Sequence, residues 1–196
     1  MTNEELSLKT KQTLAKALKQ IMEKKSLSKI TINELTSVCH LNRNTFYYYF
    51  QDIYDLLKWF LEQEAIEVIK KFDLIQDTEE AFRFIMRYIE DNKSIINCAY
   101  DSMGYEQLRF FLYKDLFDVM HKTINEGEKT MNISVDEEFK NFMTEFYTAA
   151  IASTIIDWIK NRSTKDRETA IQNMLMICQV SIPQVLLAKA QQHEKL

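Results

Sequence analysis

Apolar positions recur three and four residues apart along most of this 196-residue chain, the period of helices that bury one face. Over 7–23, Leu14, Ala17, Leu18 and Ile21 fall on one side, opposite Lys9, Lys11, Lys16 and Lys19, which predicts a first helix with a basic outer face. Thr31 and Glu34 have capping-box spacing and predict a short second helix ending near Cys39. His40 and Leu41 make a turn, and Asn42 is a good N-cap for a third short helix reaching Tyr48 or Tyr49. Three short helices so closely spaced predict a helix-turn-helix.

Beyond Ile53 the pattern lengthens, predicting helices over 53–72, 78–92, 105–125, 135–161 and 165–190. Asp77 with Glu80 and Ser134 with Glu137 have capping-box spacing, and the Gly127 region is expected to separate two helices. The stretch 93–104 reads as a short helix with irregular connections. Pro183 lies inside the last apolar pattern, where it removes a backbone donor and should kink or end the helix near Ser181.

Composition narrows the class. Two Gly and one Pro in 196 residues are too few for a turn-rich β fold, so the expectation is all-α: an N-terminal three-helix helix-turn-helix domain over 1–52, then a larger helical dimerisation and effector domain over 53–196. The net charge of −4 hides an asymmetry, because residues 1–58 carry +3 and residues 59–196 carry −7. Any polyanion partner therefore belongs to the N-terminal part. No uninterrupted apolar run approaches the roughly 18 residues of a membrane span, and the polar start lacks the pattern of a secretion signal; a cytoplasmic protein with no membrane partner is expected. Cys39, Cys98 and Cys178 are far apart and odd in number, and are read as reduced thiols.

The chemistry concentrates in Asn42–Phe50. On a helix Phe46 and Phe50 point the same way, Asn44 and Tyr48 lie opposite, and Arg43, Thr45 and Tyr47 flank them. Five adjacent aromatics cover every side of a helix, so they cannot all face a core. The outer set suits DNA: Arg forks onto guanine, Asn pairs bidentately with adenine, and Tyr and Thr hydroxyls hold phosphate oxygens.

The run Thr31-Ile32-Asn33-Glu34-Leu35, then Leu41-Asn42-Arg43-Asn44-Thr45-Phe46-Tyr47-Tyr48-Tyr49-Phe50, then Asp55-Leu56-Leu57, resembles the DNA-binding domain of TetR-family regulators over residues 8–58. The wording around 42–47 and 51–57 is most similar to the branch that includes dihydroxyacetone-kinase operon regulators. The resemblance implies a homodimer that sets two third helices in successive major grooves of a palindromic operator, about 34–36 Å apart, most often as a repressor. By position, Thr31 would cap the second helix near a phosphate and Asn33 would reach a base or the backbone. Asn42, Arg43, Asn44 and Thr45 would lie at the groove, with Tyr47, Tyr48 and Tyr49 clamping phosphates. Two positions depart from the family: His40 stands where Gly is usual, and Ile53 where a phosphate-binding Lys usually opens the fourth helix.

The same resemblance implies that the last two long helices pair between subunits. Phe142, Phe146, Ala149, Ala150 and Ser153 on one, with Met174, Ile177, Cys178 and Ile182 on the other, are the candidates, although core packing within one subunit gives the same pattern. Family members commonly hold an inducer between the middle helices. Phe60, Tyr88, Tyr100, Tyr105, Phe111, Tyr147 and Trp158 are candidate lining residues here, and plain core is the competing reading. No Gly-rich phosphate loop, metal-ligand cluster or nucleophile motif occurs, so no enzyme, metal or cofactor is expected. The expected partners are double-stranded DNA, a second copy of the chain, and a small-molecule effector or co-regulator protein. The alternative function is a helix-turn-helix protein acting mainly as a partner-protein interaction module or as a co-regulated activator.

Overall fold

A computed structural model describes residues 2–66, 78–161 and 166–193. Among them no strand occurs. The helices are α1 (Asn3–Met22), α2 (Ile32–Val38), α3 (Arg43–Tyr49), α4 (Ile53–Leu61), α5 (Thr78–Asp91), α6 (Lys93–Thr130), α7 (Glu137–Lys160) and α8 (Arg167–His193). The chain divides into two compact units, one of Met1–Val68 with Asn92–Gly104, the other of Ile69–Asp91 with Tyr105–Leu196. The division falls inside α6 at Gly104, whose φ of 76° and ψ of 174° interrupt the helical backbone in a region open to glycine.

In the first unit, α1 packs on α2 and α4, and α2 on α3. The core is Leu14, Leu18, Leu35, Phe46, Leu56 and Leu57. α1 begins earlier than its apolar stripe predicts, because Thr2 and Glu5 form a complete capping box ahead of it. At α2 only half of the expected box forms. The Thr31 hydroxyl accepts the Glu34 N–H at 3.2 Å, while the Glu34 carboxylate turns to Lys25 instead of to the Thr31 amide. The Leu27 N–H donates to Cys98 Sγ at 3.2 Å, fastening the 92–104 stretch beside the turn that precedes α2. α4 passes at Glu62 into a π turn that ends at Ile66; the rest of the helix expected over 53–72 lies outside the described residues.

The second unit contains α5, the part of α6 beyond Gly104, α7 and α8. Three expectations are corrected. Gly127 does not separate helices, since α6 continues through it to Thr130 and the chain reverses at Asn132, where φ is 51°. Asp136, not Ser134, caps α7, with Asp136 Oδ1 accepting the Phe139 N–H at 2.8 Å. Pro183 does not end the last helix, which runs on to His193. The Asp77–Glu80 box cannot be assessed, because Asp77 lies outside the described residues.

α7 and α8 run antiparallel, as two links show: Asp136 to Lys189 at 3.3 Å, and the Tyr147 hydroxyl to the Ser181 hydroxyl at 2.7 Å. Lys140 is almost fully buried and joins the α6–α7 turn, reaching Glu128 at 2.7 Å, Glu137 at 2.6 Å and Asn125 Oδ1 at 3.0 Å. Although no uninterrupted apolar run occurs, Glu168–Gln192 is by length and composition a helix able to cross a membrane. It is apolar on two sides, and only one side faces its own unit.

Candidate nucleic-acid interface and effector cavity

α3 presents two chemically different faces. Phe46 is completely buried and Phe50 nearly so, their ring centroids 6.0 Å apart, and Trp59 of α4 lies 5.8 Å from Phe50. Arg43, Asn44, Tyr47 and Tyr48 are exposed, Tyr48 at 80% of its full area. Leaving so much aromatic surface in water contributes nothing to folding, so these rings are available to a partner. Asn42 caps the helix: its Oδ1 accepts the Thr45 N–H at 2.8 Å and the Thr45 hydroxyl at 3.1 Å. Thr45 is half-buried and already bonded, so within the predicted set it serves the helix start. The Arg43 guanidinium donates to the Tyr47 hydroxyl at 3.3 Å and stacks over its ring, holding both side chains on the outer surface.

Around this helix, Thr31 and Asn33 are exposed at the start of α2, and the Asn33 carbonyl accepts from the Ser37 hydroxyl at 2.7 Å. Tyr49 is half-buried, edge-on to Tyr48, with the Lys11 ammonium 5.7 Å from its ring centroid. Lys11 therefore brings a cation from α1 to the same aromatic cluster. His40 turns the chain between α2 and α3 with φ of 53°, which meets the Gly-like conformation without Gly. Ile53, at the position where a Lys is usual, is buried and contributes packing.

The second unit holds a partly open cavity of about 200 Å³. Ala81, Phe82 and Ile85 of α5 form one wall, and Leu116, Val119, Met120, Thr123 and Gly127 of α6 another. Ile151 of α7 and Cys178, Gln179, Ile182 and Pro183 of α8 close it. None of the seven aromatic residues expected to line a pocket lies on it. Phe60 is buried in the first unit under the Lys19 ammonium, Tyr100 is half-buried there, and Tyr88 stacks on Phe84. Tyr105 bonds Ser153, Phe111 is half-buried, and Tyr147 bonds Ser181. Trp158 borders a separate depression with Met86, Asp157 and Asn173.

A third feature is an exposed apolar face on α7 and α8. Phe142 is 62% and Phe146 60% exposed, Ala150 continues their line, and Ala149 and Ser153 beside it are half-buried. On α8, Met176, Ile177 and Val180 are each more than half exposed. Met174, Cys178 and Ile182 instead face inward, so on α8 Ile177 alone of the predicted interface set is outside. The apolar pattern covers too much of α8 for its period to distinguish the two sides. Burial pushes the Cys178 thiol up to about 11, so it stays protonated and inert.

Comparison with known proteins agrees with this geometry. Residues 76–179, more than half of the chain, match a family model described as the C-terminal region of TetR-type transcriptional regulators. The HTH-type dhaKLM operon transcriptional activator DhaS of Lactococcus lactis is 25% identical over 176 residues, covering 89% of this chain and 92% of the relative. Among solved structures, the dihydroxyacetone kinase operon activator DhaS superposes with a TM-score of 0.59 at 22% identity, over 93% of this chain and 96% of that one. RolR without ligand gives 0.60 at 19% identity, over 94% and 96%. NalD of Pseudomonas aeruginosa, a repressor of a multidrug efflux pump, gives 0.56 at 14%, over 87% and 94%.

A helix-turn-helix with an exposed polar-aromatic face, joined to a helical body of this kind, defines a DNA-binding transcriptional regulator. The chain belongs to the TetR family, and the DhaS proteins are among the members it is similar to.

Proposed function

We propose that this regulator reads a palindromic operator as a homodimer, one α3 helix per half-site, and that a small molecule in the second-unit cavity alters its grip on DNA. The observation that carries the reading is the split of α3: Phe46 and Phe50 are sealed, while Arg43, Asn44, Tyr47 and Tyr48 face water. Arg43 and Asn44 are assigned to base edges. Tyr47, Tyr48 and Tyr49 are assigned to phosphates together with Lys11, which offsets the missing cation at Ile53. Thr31 and Asn33 approach the backbone from α2, and Asn42 with Thr45 set the height of the helix in the groove. Residues 1–52 do the reading, and 53–196 dimerise and respond.

The apolar face of Phe142, Phe146, Met176, Ile177 and Val180 is assigned to the partner copy, which also accounts for the hydropathy of α8 without a membrane. The Lactococcus lactis relative is an activator, and this favours activation over the repression expected from the sequence. For the effector, a RolR structure contains resorcinol, which shows that this fold accommodates a small ligand. Acting on DNA, the protein works in the cytoplasm.

A gel-shift titration on the region upstream of its own gene tests the reading. Arg43→Ala should cost about 1–3 kcal/mol of binding and relax base preference, and Tyr47→Ala should weaken binding about equally across sequences while leaving the slope of the salt dependence unchanged. If both variants bind as wild type across a salt series, α3 does not read DNA, and the protein acts instead by recruiting a partner protein.

A further inference from the structure

We infer that the cavity of the second unit takes a neutral, compact, mostly apolar molecule bearing one hydrogen-bond donor, such as a small phenol or alcohol, and rejects carboxylates, phosphates and amines. The inference rests on the effector reading above and adds the chemistry of the effector.

Charge is excluded by the lining. Among the described residues no Asp, Glu, Lys, Arg or His borders the cavity, so an ion entering it would give up hydration with no counter-charge from these walls. Cys178 supplies no anion, because its thiol stays protonated. Size follows from the volume. About 200 Å³ is below the range of roughly 300–1,000 Å³ typical of drug-sized ligands, and somewhat above the roughly 150 Å³ cavity that admits benzene. A single ring with a short alkyl chain fills such a space.

The donor follows from what the polar lining lacks. Pro183 has no N–H, so the Gln179 carbonyl loses its helical partner, and both residues border the cavity. Thr123 already donates its hydroxyl hydrogen to the Val119 carbonyl at 2.9 Å, so toward any other group it acts only as an acceptor. The polar wall thus offers acceptors at the Gln179 carbonyl and Thr123, with the Gln179 side-chain amide beside them, and a ligand hydroxyl, which both donates and accepts, satisfies such a wall at little cost.

Titration calorimetry of the full chain at pH 7 with 4-propylphenol, propylbenzene and 4-propylbenzoate tests this. The phenol should bind roughly tenfold or more tighter than the benzoate, and more tightly than propylbenzene. Val119→Phe and Ile85→Phe, each adding volume from a different wall, should weaken the phenol by roughly tenfold while leaving the circular dichroism unchanged. Pro183→Ala, which returns an N–H to the Gln179 carbonyl, should narrow the gap between phenol and propylbenzene. Benzoate binding as tightly as phenol, undiminished phenol binding in both filled variants, or no phenol binding at millimolar concentration overturns the inference. Operator affinity measured on the same samples separates the two claims: phenol binding that leaves DNA affinity unchanged sinks the effector reading and upholds the ligand class.

Discussion

Phe46 and Tyr48 sit two positions apart on one short helix and have opposite duties. Phe46 is wholly enclosed, so Phe46→Ala should cost about 3–5 kcal/mol in urea unfolding followed by circular dichroism. Tyr48, 80% exposed, should cost no more than about 0.5 kcal/mol as Tyr48→Ala, yet weaken operator binding. A Tyr48→Ala variant that unfolds like Phe46→Ala would mean that the ring is structural. His40 gives a test of the opposite sign. Its φ of 53° is strained for a residue with a Cβ, so His40→Gly should stabilise the protein by up to about 1 kcal/mol, read as a higher urea midpoint. The two faces of α3 were legible in the sequence because five adjacent aromatics must surround a helix. The half-buried and bonded state of Thr45 was not, since it depends on where the Asn42 side chain points.

Among the elements, the helix starts show how local chemistry competes. Asn42→Ala should cost about 1 kcal/mol, since the Thr45 amide then has no side-chain partner. At α7, Ser134 has the right spacing for a cap, but Asp136 takes that role and the helix starts at Glu137, while Glu128 accepts the Val135 N–H at 2.8 Å and holds the chain just ahead of it. That partner is 7 residues back in sequence, beyond the reach of a capping motif. The same Glu128 gives the turn a pH dependence. Its hydrogen bond from Lys140 holds the carboxyl below the usual range, outweighing desolvation, which acts the other way. A lowered folded pKa stabilises the native state above the unfolded value near 4.3 and ceases to do so as pH falls through the folded value. Wild type should therefore exceed Glu128→Gln in urea midpoint at pH 6, and the difference should shrink below pH 4; a gap constant from pH 6 to pH 3 would show that the carboxylate charge contributes nothing.

For the whole molecule, the exposed face on α7 and α8 makes the oligomeric state the deciding measurement. Phe146→Asp places a carboxylate in the centre of that face, where pairing would bury it without a counter-charge. Sedimentation should show the wild type as a dimer and the variant as a monomer, with operator affinity reduced roughly tenfold or more through loss of the second half-site. A variant that stays dimeric places the interface elsewhere. The cavity also belongs to this scale. Its walls are mostly aliphatic and small residues drawn from four helices, so large aromatic side chains are poor guides to it.

Periodicity, the scarcity of Gly and Pro and the Asn42–Phe50 run were enough to determine an all-α chain with a helix-turn-helix head, because each is a local constraint imposed by backbone geometry and side-chain size. Which side of α8 meets its own unit, which residue caps α7, whether Pro183 breaks its helix and where space remains were decided only by packing. Met174 and Cys178 point inward while Met176 and Ile177 point out, although all four are apolar and adjacent, because α5, α6 and α7 cover one side of α8 and leave the other free.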